Sequence, residues 1–264
     1  MATKKSSSTT AIAKAKPSAT AVAAAPLDFS ADAGAGMEGA DKDSFAIPFI
    51  TVLQGLSPQL ETIDGAKPGL LLNTITNELY TDILVVPCAF QRRFVRWAPR
   101  EAGGGYKGDY SPIDIETGKI PSVPNEKGQP TIDGDLLKDT RNHFVLVQNA
   151  SSTEWKPALI SLSSTQIRKS KRWMSLIQGI EMRDANGKPF TPPSFSHIYR
   201  IKTVKEENNQ GSWWGVEIQL HGAVTDADLY AKAKAFHASV SAGDVVVQQP
   251  QNDVEVSSSS SDKF

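Results

Sequence analysis

The chain has 264 residues and a formal net charge of −1, enough for one large domain or two small ones with a sizeable core. Overall neutrality excludes a polycation of the kind that coats duplex DNA, although a local basic groove remains open because binding follows charge distribution. The single cysteine, Cys88, excludes an intramolecular disulfide and in effect a cysteine-based zinc site.

The N-terminus lacks the apolar stretch of a secretory signal, and no run approaches the roughly 20 apolar residues that span a bilayer. A cytoplasmic location is expected. Lys4, Lys5, Lys14 and Lys16 without an arginine make only a weak case for a transit peptide.

Residues 1–35 are mostly Ala, Ser, Thr and Lys. They carry too few large apolar side chains to offset an ordering cost of about 1–2 kcal/mol per residue, and are expected to be disordered. A single β-rich core domain is expected over 36–245. Gly69 to Tyr80 reads as strand, turn near Asn77, strand. Ile83 to Trp97 is a long extended run in which Pro87, lacking a donor, implies an edge or a bulge. Gly103 to Asp139, rich in Gly, Pro and charge, reads as a long loop.

His143–Gln148 and Trp155–Leu162 flank a turn at Asn149–Thr153 and read as a hairpin. Ser163 with Gln166 has the pattern of a capping box. Ile167, Trp173, Met174, Ile177 and Ile180 follow at helical spacing, with Arg168, Lys169, Lys171 and Arg172 opposite. Phe195–Lys205 and Ser212–Gly222 form a second hairpin around Glu206–Gly211. Period-two alternation puts Trp214, Val216, Ile218 and Leu220 on the core face and Trp213 on the polar face.

A second helix is expected from about Asp226 to Val240. Residues 246–264 form a mildly acidic tail expected to be disordered. Together these elements predict a β-rich α+β fold: an OB-like barrel with long insertions and two helices, flanked by disordered tails. A β-sandwich with added helices is the alternative.

The segment Phe90-Gln-Arg-Arg-Phe-Val-Arg-Trp97, continued by Arg100, Tyr106, Lys107 and Tyr110, interleaves cations with aromatics. Glu101 is the one acidic neighbour before Asp109. Single-stranded nucleic acid asks for this mixture, since cations track phosphates and aromatic faces stack bases at roughly 1–3 kcal/mol each. Arg92, Arg93, Arg96, Arg100 and Lys107 are therefore candidate phosphate contacts. Phe94, Trp97, Tyr106 and Trp213 are candidate stacking residues. The competing reading is a strand with a solvated basic face and core aromatics. The basic helix face at 168–172 likewise reads as solvated charge or as a contact surface.

Gly103, Gly105 and Gly108 match G-x-G-x-x-G, but no helix follows directly, so a dinucleotide site is rejected; a flexible loop able to close over a bound strand is the reading preferred. His143, His197, His221 and His237 lack metal-ligand spacing. Asp139 with Glu154 and Lys156 loosely fits a metal-dependent nuclease, in which carboxylates would hold Mg²⁺. Such residue types recur by chance at loose spacing, and a hairpin turn with a surface ion pair is the reading preferred. No cofactor or metal is expected.

Gly39 to Pro58, including Ile47-Pro48-Phe49-Ile50, resembles a family of tailed-bacteriophage proteins either uncharacterised or called single-stranded DNA-binding proteins. Lys67-Pro68-Gly69, Val85-Val86-Pro87, Trp97 with Gly103-Gly104-Gly105, Phe195–Tyr199 and Asp228-Leu229-Tyr230 continue the resemblance, over about residues 36–243. It implies a replication or recombination accessory acting in an infected bacterium. The C-terminus, with Asp253, Glu255, Asp262 and Phe264, is similar in kind to the acidic, aromatic-ended tails of single-stranded DNA-binding proteins, although Lys263 and the serine run depart from them. Phe264 is thus a candidate contact to a replication or recombination partner. The expectation is a non-catalytic single-stranded DNA-binding protein. The rivals are a phage structural or assembly protein and a metal-dependent nuclease.

Overall fold

The computed structural model describes residues 28–41, 44–148, 153–209, 211–245 and 247. The proposed tail up to residue 27, turn residues 149–152 and nearly all of the C-terminal tail, Phe264 included, lie outside them. The chain divides into two units, Met1–Ala40 and Asp41–Phe264. In the first, the described residues hold one 3-10 turn at Ser30–Asp32, where the Asp28 carboxylate accepts from the Ser30 N–H at 2.9 Å.

The second unit opens with β1 (Ile50–Val52), α1 (Gln59–Thr62), β2 (Leu71–Asn73) and β3 (Leu79–Tyr80), whose strands form a small sheet in that order. Then come β4 (Asp82–Trp97), β5 (Tyr106–Tyr110), α2 (Pro112–Glu116), β6 (Val123–Pro124), β7 (Pro130–Ile132), β8 (Asp135–Gln148) and β9 (Lys156–Ser163). After α3 (Ile167–Gln178) and the short pair β10 (Met182–Arg183) and β11 (Pro189–Phe190), the chain ends its described part with β12 (His197–Asn208), β13 (Gly211–Ala223) and α4 (Ala227–Ala242).

β4 and β8 are the spine of a curled antiparallel half-barrel, paired from Leu84↔Gln148 to Trp97↔Leu136. Their outer partners change midway. β12 pairs with β4 from Asp82 to Val85, and β5 pairs with it from Phe94 to Trp97. β9 pairs with the second half of β8, and β7 with its start. Pro87 sits at a register shift between Pro87 and Ala89, the bulge its missing N–H implied.

Alternation along the spine sends side chains to two cores. Ile83, Val85, Val145 and Val147 pack with Trp173 and Ile177 of α3 and with Tyr199 and Ile201 of β12. Val86, Cys88 and Leu146 pack on the other face with Leu229 and Ala233 of α4. Helices thus cover both faces where the bulge lies.

Several elements depart from the sequence reading. The described residues hold four helices rather than two, the additions α1 and α2 being short. Gly103 to Asp139 holds β5, α2, β6, β7 and the start of β8. Gly103, Gly104 and Gly105, with φ of +93°, +64° and +102°, make the tight turn that lets β5 return along β4. The turn is closed by Ala98 N–H donating to Gly105 O at 2.9 Å. Ser163 makes no side-chain cap, because it is the last residue of β9, and the Gln166 side chain instead accepts from the Val216 N–H at 3.0 Å. Leu220 is 52% exposed rather than core: it keeps the register of Val216 and Ile218, but it stands at the end of the regular pairing, next to the register shift at Ile198/Tyr199.

β13 is an edge strand, and two amides blunt it. Gln54 accepts from Trp214 N–H at 2.9 Å and donates to Trp214 O at 2.8 Å, while Gln166 takes Val216 N–H. Trp214 itself lies across Gly69, whose φ is +90° and where a Cβ would fall 2.7 Å from the indole.

His143 is 1% exposed, stacks on Trp173 at 4.5 Å and shares a 2.7 Å hydrogen bond with Ser170 Oγ. Burial, helped by the Arg141 charge, holds its pKa down to about 3. An unfolded histidine titrates near 6.5, so unfolding takes up a proton below that pH. The contribution is fully present above pH 6.5 and is lost as pH falls toward about 3. At 1.36 kcal/mol per pH unit, about 2 kcal/mol should go between pH 6.5 and 5. Urea midpoints at the two pH values should show this loss in the wild type and a clearly smaller one in His143→Gln. Equal losses would assign the acid sensitivity elsewhere, for instance to His197, which burial also holds below its ordinary value.

Candidate nucleic-acid interface

The arginines of β4 do not form an open basic groove. Arg92 donates to Asp139 at 2.9–3.3 Å and to Glu116 at 2.7 Å. Arg93 pairs with Asp109 at 2.8 Å. Arg96 pairs with Asp135 at 2.6 Å and Asp133 at 3.2 Å, and Arg141 joins Asp139 at 3.0 Å. Four arginines meet five carboxylates, so this network nets −1. The Asp139 carboxylate first, and Glu116 with it, raise the Arg92 pKa; Tyr110 and Asp135 do the same for Arg96.

The aromatics of this arm are also engaged. Phe94 is 8% exposed and lies under the Arg92 guanidinium at 5.1 Å, so its faces are not offered to a base. This corrects the expectation of a stacking residue; an inward strand position across from Tyr110 explains it. Trp97 and Tyr106 are half-buried and meet edge to face at 6.1 Å. Tyr106 also donates to Asp109 at 3.2 Å. Lys107 is exposed and makes no ion pair among the described residues. Arg100 opens the turn Arg100–Ala102, and its side chain lies outside the described part. Cys88 is buried, and burial pushes its thiol pKa up to about 12, so it remains protonated.

Residues separated in sequence come together elsewhere. α3 buries Ser170, Trp173 and Ile177 against β8, β9 and β13. At 100° per residue this turns Arg168, Lys171 and Arg172 outward; all three are exposed, and none makes an ion pair among the described residues. Lys169 pairs with Glu206 of β12, and Glu206 also accepts from Trp213 Nε1 at 3.0 Å. Burial works against the charged Glu206, but Lys169, Trp213 and the nearby Arg168 outweigh it and hold the pKa below the usual carboxylate value. Glu206 therefore fastens a half-buried tryptophan beside a helix face of four cations. Four cations against one carboxylate leave +3 here, whereas the ion-paired arginine network of β4 and β8 nets −1.

Asp139, Glu154 and Lys156 do not assemble a metal centre. Asp139 is held by two arginines, and no cluster of three His, Cys, Asp or Glu suited to a metal occurs among the described residues. No helix among them is long and apolar enough to cross a membrane.

No curated protein and no solved structure matches the chain. The family described as Pam3 phage gp34-like protein matches residues 15–246. That match spans most of the sequence, and the chain belongs to this bacteriophage protein family.

Proposed function

We propose that the protein is a non-catalytic single-stranded DNA-binding protein that supports phage DNA replication or recombination in the infected bacterium. The observation that carries this reading is the α3 surface. Arg168, Lys171 and Arg172 are exposed cations without an ion pair among the described residues, on the helix beside Trp213, and such cations release counterions when they bind phosphates. The reading moves the phosphate contacts from β4 to α3, keeps Trp213 as the stacking residue, and leaves the β4 arginines as internal ties of the arm. In it the curled sheet is an open, OB-like barrel with α3 lying over one face.

Fluorescence anisotropy with labelled oligonucleotides tests it. Single strands should bind more tightly than duplex of equal length, and log K should fall against log salt with a slope of roughly −0.7 for each phosphate contact. Equal affinity for duplex, or no binding to either at low salt, contradicts the proposal and favours a structural or assembly role in the particle.

A further inference from the structure

β4 has an open edge. β12 leaves it after Val85 and β5 joins it at Phe94, so between these residues β8 is its one strand partner among the described residues. The bulge at Pro87–Ala89 lies in this gap, and a cleft of about 240 Å³ opens there between α3 and α4. The Cys88 carbonyl faces it and is capped by His237 of α4 at 2.8 Å.

The lining is chemically specific. No Asp, Glu, Lys or Arg lines the cleft, so it does not suit a phosphate. Phe90, an aromatic 36% exposed on a strand otherwise largely covered, forms one wall. Phe90 rests on His143 at 5.1 Å, His143 on Trp173 at 4.5 Å, and Trp173 on Tyr199 at 5.8 Å. This chain of ring contacts, tilted at Phe90, stacked at His143–Trp173 and edge to face at Tyr199, runs into the core and fixes the wall. Met174 and Ile177 supply an apolar flank from α3.

Polar groups lie at the rim. A carbonyl only accepts, so His237 Nδ1 donates to Cys88 O, and Nε2 is the ring's remaining polar atom. Gln91 and Ser241 add groups that both donate and accept. The volume is below the roughly 300–1,000 Å³ of pockets for drug-sized ligands, which fits one ring system.

We infer that this cleft takes a single nucleobase, laid against Phe90 with its polar edge toward Gln91, Ser241 and His237. The inference rests on the proposed function for its main source. α3 lines the cleft with Met174 and Ile177 and carries the exposed cations on its outer side, so a strand crossing the helix can send one base inward. A free nucleotide presents the same ring and is the other source.

Three probes separate the possibilities: a labelled oligo(dT), an abasic oligomer of the same length, and thymidine monophosphate. The wild type should prefer the intact strand over the abasic one by more than tenfold, since one stacked base at Phe90 contributes about tenfold and Trp213 adds to it. Phe90→Ala should cut that preference by about tenfold, leaving the share due to Trp213, without changing the salt slope. Phe90→Trp should keep the preference, which shows that a ring is needed at 90 rather than an intact fold alone.

Equal wild-type affinity for the two oligomers, or a preference unchanged in Phe90→Ala, overturns the inference while the DNA-binding reading stands. If neither oligomer binds but the mononucleotide does, and Phe90→Ala abolishes that binding, the cleft is a site for free nucleotides and the DNA-binding reading falls. Binding of none of the three removes both.

Discussion

Replacing Trp173 by alanine should destabilise the protein by about 3–5 kcal/mol, the usual range for emptying a buried aromatic site. Trp173 is fully buried and stands where α3 meets the sheet, stacked on His143 and edge-on to Tyr199. Such ring pairs add about 0.5–1.5 kcal/mol beyond area burial. Its removal would also leave His143 without the ring that packs it under the helix. Domains are commonly stable by only about 5–15 kcal/mol, so this one side chain accounts for a large share. Trp173→Phe should cost clearly less. The indole Nε1 has no hydrogen-bond partner among the described residues, so only volume is lost. Urea unfolding reads both variants. A midpoint unchanged in Trp173→Ala would show that α3 is not anchored through this residue.

Much of the fold was legible because it is local. Pro87 announced the bulge in β4, and positive φ at Asn77 bears out the turn before β3. Asp226 caps α4 by accepting from the N–H groups of Asp228 and Leu229, and Gly243 ends the helix at φ +78°. Both long hairpins pair as the alternation suggested.

The candidate site was not legible in the same way, because charge partners come from distant sequence. Arg92 meets Asp139 across 47 positions, and Arg96 meets Asp135 across 39. A count of acidic neighbours along the chain sees none of this. The basic face of α3 and the tryptophan at 213 each read as a weak signal, and only the fold shows that Glu206 joins them. Gln54 gave no signal for this role and Gln166 read as half of a capping box, since an amide that blunts a strand edge looks like any other glutamine. Phe94 misled because a strand next to a bulge can turn any of its alternate residues inward.

The most direct test compares the two basic surfaces in one salt titration. In the first variant Arg168, Lys171 and Arg172 become glutamine, which keeps helix propensity close to that of the originals. In the second Arg93, which makes one ion pair, and Lys107, which makes none among the described residues, become glutamine. If α3 carries the phosphate contacts, the first variant loses three of them. Its slope for single strands should shrink by about 2, which corresponds to roughly a hundredfold weaker binding near 0.1 M salt. The second variant should follow the wild-type line in both slope and affinity. A steep loss in the arm variant, with the α3 variant unchanged, would contradict the assignment and return the DNA to β4.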